Sequence, residues 1–189
     1  MRRVRSMQCW MGAFGVIAMV VVGSGADWLQ WGDGCRNNRV CVAIGQDPAH
    51  GRGTGLLHCI DATKTGDITE SGKIWSYEAI ERSISSATIS DGLLYIPDIA
   101  GKLHCLNADT GDPCWVHETV AETWGTPLVA DGKIYLGNQR KFLIMAEGRE
   151  PQVLFETRLG APMYSSAIVA DGVIYVASQR QLWAVSAKQ

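Results

Sequence analysis

No two of the six cysteines stand side by side, and none are set at the Cys-x-x-Cys spacing of zinc and redox sites. Charge is scarce as well. Only 19% of the residues are charged and the net charge is −2, so no basic field draws nucleic acid or an anionic membrane. No stretch sustains an apolar period of 3.6, which leaves little room for helices. A Gly-x-Ser-x-Gly nucleophile elbow is missing. The glycine-rich run His50-Gly51-Arg52-Gly53-Thr54-Gly55 lacks the Gly-Lys-Ser/Thr of a phosphate loop and leads into a strand-like run, not a helix. It reads as a connection whose polar residues Gln46, Asp47, His50 and Arg52 are candidates for contact with a partner.

What is plentiful is glycine, 21 residues, and tryptophan, 7 residues. Both suit a β-protein with many tight turns and a few aromatic anchors. At 189 residues and 47% apolar, the chain is long enough for one ordinary domain with a sizeable core.

Residues 1–26 read as a secretory signal peptide. Arg2, Arg3 and Arg5 give a positive start, Trp10 to Val22 is uncharged and mostly apolar, and Ser24-Gly25-Ala26 offers small residues to a peptidase. The apolar run is short for a full membrane span of roughly 20 residues. The expectation is an exported protein, periplasmic or extracellular, with no transmembrane span once that segment is removed. Cys9 leaves with it. The odd set Cys35, Cys41, Cys59, Cys105 and Cys114 reads as small core residues, with one adventitious disulfide left open in an oxidising compartment.

After a short segment at 27–39, residues 40–189 are organised by a repeat of forty residues. Asp91-Gly92, Asp131-Gly132 and Asp171-Gly172 share the interval, as do Tyr95, Tyr135 and Tyr175, and also Trp75, Trp115 and Phe155. One unit predicts a strand over Ser83 to Ser90, an Asp-Gly hairpin turn, and a strand over Leu93 to Ile96. A third strand follows over Lys102 to Leu106, and a fourth over Cys114 to His117. Four short antiparallel strands in about forty residues make one propeller blade. The first unit keeps three strands, Val40 to Ile44, Leu56 to Asp61 and Lys73 to Tyr77. The second and third run over about 83–117 and 123–157, and the fourth from Met163 to Ser186 lacks its last strand. The expected fold class is all-β, a β-propeller of about four four-stranded antiparallel blades in a partial or open ring.

The run Leu103-x-Cys105-Leu106-x-Ala108-x-Thr110-Gly111-x-x-x-Trp115 resembles the PQQ-type repeat, and Ala62, Thr65, Gly66 and Trp75 form an earlier copy. That repeat occurs in quinoprotein dehydrogenases and in BamB-like outer-membrane assembly lipoproteins. Trp28-Leu29-Gln30-Trp31 resembles the opening of exported propellers of this family. The resemblance implies that Trp75, Trp115 and Phe155 dock on the Thr-Gly turns of neighbouring blades, turns marked by Gly66 and Gly111. It implies a protein-binding scaffold at the cell envelope. The alternatives are a remnant of a quinoprotein dehydrogenase, with PQQ and calcium as its cofactors, or a truncated fragment without independent function. Family propellers have seven or eight blades, so a shorter chain is expected to pair with a second copy through open blade edges. Closure by Trp28 to Trp31 along Leu182 to Val185 is the competing expectation.

No catalytic, cofactor-binding or metal-binding residue is assigned. The serines at 83, 85, 86, 165 and 166 read as small residues for the crowded propeller centre. The tryptophans at 75 and 115 fall at a packing position, and no adjacent cysteine pair is there to cover a quinone. His58-Cys59 and His104-Cys105 occupy like places in adjacent units, but neighbours on a strand point to opposite faces and cannot easily reach one ion.

Overall fold

The computed structural model describes residues 38–45 and 54–186. Among them the backbone forms strands and turns and no helix. The first sheet holds β1 (Arg39–Ile44), β2 (Leu56–Asp61) and β3 (Lys73–Tyr77); the second holds β4 (Thr88–Ser90), β5 (Leu93–Pro97), β6 (Lys102–Asn107) and β7 (Pro113–Glu118). In the third are β8 (Leu128–Ala130), β9 (Lys133–Gly137), β10 (Phe142–Ala146) and β11 (Val153–Thr157). The fourth contains β12 (Ile168–Ala170), β13 (Val173–Ala177) and β14 (Leu182–Ser186). Each sheet is an antiparallel meander in chain order. Consecutive strands therefore pair with their sequence neighbours, as tight hairpins require.

The hairpin turns have the backbone their residues dictate. Asp91 and Gly92 lie at φ 45° and 72°, Asp131 and Gly132 at 51° and 64°, and Asp171 and Gly172 at 51° and 70°. Two successive positive φ angles define the turn whose twist matches a β-hairpin, and Asp-Gly tolerates both.

Three apolar cores lie between the four sheets, one at each junction. Leu57, Cys59 and Trp75 of the first sheet meet Leu94, Ile96, Leu106 and Ala108 of the second unit. Tyr95, Leu103, Cys105 and Trp115 of the second meet Ile134, Leu136, Leu143 and Met145 of the third. Leu128, Tyr135 and Phe142 of the third pack with Met163, Ala167 and Val176 of the fourth unit. In the middle blades the inner strands bury both faces, β5 at every position, while the outer β11 is mostly exposed. These are blades of a β-propeller, stacked face to face.

One expectation is corrected. The strand drawn over Ser83 to Ser90 is a strand only from Thr88. Residues 83–87 leave the ladder because their polar groups bond elsewhere. Ser83 Oγ donates to Pro97 O (2.6 Å), and Ser85 Oγ donates to Trp124 O of the next unit (3.0 Å). The last strand pair of the first, second and third sheets carries a β-bulge. Cys59 opposes Trp75 while Ile60 opposes Lys73, Cys105 opposes Trp115 while Leu106 opposes Pro113, and Ile144 opposes Phe155 while Met145 opposes Val153. The extra residues are Ile74, Cys114 and Leu154, each just before the repeat aromatic. An alternation count cannot show such an insertion, because the ladder carries two residues against one. The register also makes Ile144 the counterpart of Cys105, since both lie opposite the repeat tyrosine.

Candidate functional site

The sequence-derived docking positions fall in three different settings. Trp75 is buried, its indole N–H donates to Ala108 O at 3.2 Å, and its ring lies over the Thr110-Gly111 turn of the next blade. A Cβ on Gly111 would stand 2.6 Å from that indole, and Gly111 holds φ +78°, so the turn admits only glycine there without displacement. Trp115 is buried one blade on, with its N–H donating to Gly148 O at 2.9 Å. Gly148 N donates in turn to Tyr95 Oη at 3.1 Å. Phe155 is half exposed on β11, and the residues that would hold the equivalent turn lie after Ser186, outside the described residues. Gly66 sits at φ +79° with open space around it. The candidate partner loop with Gln46, Asp47, His50 and Arg52 lies outside the described residues, as do Trp28 to Trp31.

A polar chain runs through the junction of the first two blades. His104 and Asp98 are fully buried, with His104 Nε2 and Asp98 Oδ2 3.0 Å apart. On the other side of the ring His104 Nδ1 and Tyr77 Oη are 3.1 Å apart. Asp98 Oδ1 accepts from the Lys102 backbone N–H at 2.9 Å. Burial by itself would raise Asp98; hydrogen bonds from His104 and Lys102 outweigh it and hold the carboxyl below the ordinary carboxylate range. Burial, with the Asp98 charge adding to it, raises the Tyr77 phenol. A tyrosine, a histidine and an aspartate in line resemble a proton relay, yet neither His104 nor Asp98 meets solvent, so no substrate can reach them. Their chemistry is internal, a satisfied polar bridge across a blade junction. In the third unit Asn138 takes the place of Asp98, accepting from the Arg140 and Lys141 N–H groups and donating to Thr119 O. His58 is bonded to Ser76 Oγ at 2.8 Å, on the strand face opposite to Cys59. Among the described residues no three His, Cys, Asp or Glu side chains come together as a metal site.

One feature that faces solvent, apart from the exposed apolar residues of the outer strands such as Val153, Leu154 and Phe155, is a row of apolar side chains in the segments leading into β4, β8 and β12. Ile84, Trp124 and Tyr164 are 56%, 42% and 36% exposed, forty residues apart, and the Trp124 and Tyr164 rings meet edge to face at 4.9 Å. The segments that carry them are tied together blade to blade. Ser85 Oγ donates to Trp124 O, Ser86 N donates to Thr126 Oγ1 at 3.1 Å, and Thr126 N donates to Ser166 Oγ at 2.9 Å. At Gly125 a Cβ would stand 2.7 Å from Ser165 O, so the lack of a side chain brings the two segments into contact. Trp124 Nε1 reaches Glu122 Oε2, which also accepts from Gln139 Nε2 at 2.6 Å. The row is thus mounted on a rigid, cross-bonded base. The forty-residue interval of the sequence already places 84, 124 and 164 in register.

Residues 27–149 match the family described as outer membrane protein assembly factor BamB. Among solved structures the chain is similar to BamB from Moraxella catarrhalis, at 22% identity and a TM-score of 0.61, over 77% of this chain and 42% of that one. It is similar to the quinohemoprotein alcohol dehydrogenase of Pseudomonas putida HK5 at 15% identity and a TM-score of 0.53, over 71% of this chain and 30% of that one. A third likeness is the quinohemoprotein alcohol dehydrogenase from Comamonas testosteroni, at 16% identity and a TM-score of 0.54, over 73% and 27%. At these identities the structures speak for the fold alone. The chain spans less than half the length of each. A comparison with curated proteins finds no match.

Proposed function

The chain belongs to the outer membrane protein assembly factor BamB family, and from that membership we propose that it is a non-enzymatic, exported β-propeller module that binds protein at the cell envelope. The observation that carries the reading is the exposed row Ile84, Trp124 and Tyr164. The Trp124 and Tyr164 rings meet, and large exposed apolar side chains on a cross-bonded base are what a protein interface uses for its anchors. The envelope location rests on the family, whose described member is an outer-membrane assembly factor, and on the leader-like residues 1–26.

A quinone cofactor with calcium is the chemistry that the dehydrogenase likeness would bring. The described residues do not fit it. The indoles of Trp75 and Trp115 are bonded to backbone carbonyls between blades, the Asp98 carboxylate is buried against His104 and Lys102, and Cys105 and Cys114 are on different strands. The reading is therefore one without quinone or metal.

A photo-crosslinking amino acid at position 124, in cells expressing the whole chain, tests the proposal. The expected result is a discrete adduct with an envelope protein, lost when Ile84 and Tyr164 are changed to Ser. Adducts of the same pattern from a turn position such as Asp91 would remove the row's special role. Calorimetric titration of the purified chain with PQQ and calcium tests the cofactor side. A saturable micromolar site would overturn the non-enzymatic reading.

A further inference from the structure

The four described cysteines fall two in the first sheet, Cys41 and Cys59, and two in the second, Cys105 and Cys114. In the second sheet the bulge brings the pair together. Cys114 is the inserted residue of β7, so Cys114 and Trp115 both oppose Cys105 on β6. The matching inserted residues are Ile74 and Leu154, and the counterparts of Cys105 are Cys59 and Ile144. The repeat therefore asks only for an apolar side chain at either place, and the second blade alone carries sulfur at both.

The two thiols have different surroundings. Cys114 is partly exposed, and Arg149 Nη1 donates to its Sγ at 3.7 Å. Cys105 is fully buried, and its S–H points to Gly148 O at 3.8 Å, the same carbonyl that accepts from the Trp115 indole. Burial pushes the Cys105 thiol up to about 12, and the charge and hydrogen bonding of the adjacent Cys114 sulfur add to that rise. The accessible sulfur beside a guanidinium is the attacking one, and the buried sulfur resolves.

We propose that Cys105 and Cys114 are a redox modification site, a dithiol that a small-molecule disulfide such as glutathione disulfide converts to a cross-strand disulfide in the second blade. The Cys114 thiolate attacks one sulfur of glutathione disulfide, forming a mixed disulfide and expelling a glutathione thiolate. Loss of the Cys114 charge removes one cause of the high Cys105 value. Cys105 then gives its proton to water or buffer base and attacks Cys114 Sγ, expelling the second glutathione thiolate. Two protein thiols are oxidised and one glutathione disulfide is reduced to two thiols. The bond ties β6 to β7 across the bulge, beside the indole that docks the second blade on the third. Gly148 O keeps its indole donor when the Cys105 S–H is lost, so closure leaves no unsatisfied carbonyl. The site is independent of the partner-binding reading.

The test equilibrates the reduced full chain with glutathione and glutathione disulfide, blocks free thiols with iodoacetamide, and cleaves before Asp109. The expected result is a pair of fragments, one with Cys105 and one with Cys114, held together until reduction and lighter by two hydrogens than the two thiols. Cys41→Ser should keep this linkage and a raised unfolding temperature on oxidation, and Cys114→Ser should lose both. A stable glutathione adduct on Cys114, alkylation of both thiols, or a bond confined to Cys41 and Cys59 would overturn the proposal. If Cys114→Ser does not fold, the fragment map of the unaltered chain decides alone.

Discussion

The indole nitrogen of Trp115 lies 2.9 Å from the carbonyl oxygen of Gly148, and that bond joins the outer strand of the second blade to a turn of the third. Tyr95 reaches the same turn through its hydroxyl, which accepts from Gly148 N, so ring packing and two hydrogen bonds converge on one residue. Replacing Trp115 by Ala should cost roughly 3–5 kcal/mol, as the truncation of a large buried aromatic does. Trp115→Phe keeps most of the packing and leaves Gly148 O only the weaker Cys105 S–H, for which about 0.5–1.5 kcal/mol, the net worth of one hydrogen bond, is expected. Urea unfolding of the two variants checks both the size and the order.

Two glycines with nearly equal backbone angles give a second prediction. Gly66 and Gly111 hold φ +79° and +78°, but a Cβ meets nothing at Gly66 and strikes the Trp75 ring at Gly111. Gly66→Ala should therefore cost only the left-handed strain, roughly 1–2 kcal/mol. Gly111→Ala adds the displacement of an indole, about 1–3 kcal/mol more for overpacking. Equal unfolding midpoints for the two variants would show that Trp75 yields freely.

The forty-residue interval and the Asp-Gly turns were legible because each rests on one local rule, a backbone angle or a strand face. The docking of Trp75 is less local, for it needs Gly111 in the next unit, thirty-odd residues on. What the sequence concealed depends on neighbours it does not name. Residues 83–87 alternate like a strand, but their donors are taken by Pro97 and the 124–126 segment, so the ladder starts at Thr88. The bulges at Ile74, Cys114 and Leu154 change no alternation count. Asp98 and His104, six residues apart, read as unrelated polar residues until the β5–β6 hairpin closes them onto Tyr77. Ile84 falls in a strand-like alternation, and for it, Trp124 and Tyr164 only burial separates a solvent-facing row from a core stripe.

That row predicts a split between stability and binding. Trp124→Ser should change the unfolding free energy by less than about 1 kcal/mol, since a half-exposed side chain outside the cores carries little packing. On the proposed function, its effect should appear as loss of the crosslinked adduct at the row neighbours of position 124, Ile84 and Tyr164. A large loss of stability would mean that the Trp124–Tyr164 contact is a structural staple.

The buried Asp98 gives the last prediction, a dependence on pH with a fixed sign. Its carboxyl is held below 3.8 in the folded chain, because hydrogen bonds from His104 and the Lys102 N–H outweigh the cost of burial. In the unfolded chain the carboxyl has its ordinary value, roughly 3.9. As pH falls, the unfolded state takes up this proton first, so the stability that the ionised Asp98 contributes is present above about pH 4 and is lost as pH drops through the lower folded value. Asn138 shows that an amide fits the equivalent place with its oxygen accepting from turn N–H groups, as Asp98 Oδ1 accepts from the Lys102 N–H, which makes Asp98→Asn a variant of suitable shape. At pH 7 it should be less stable than the unaltered chain by about 1–3 kcal/mol, the usual range for a hydrogen bond to a charged group. The gap should narrow steadily as pH falls from about 5 through the lowered folded value. Urea unfolding of both proteins across that range measures it. A constant gap would show that the Asp98 charge does not contribute, and that the carboxyl and the amide differ only in shape.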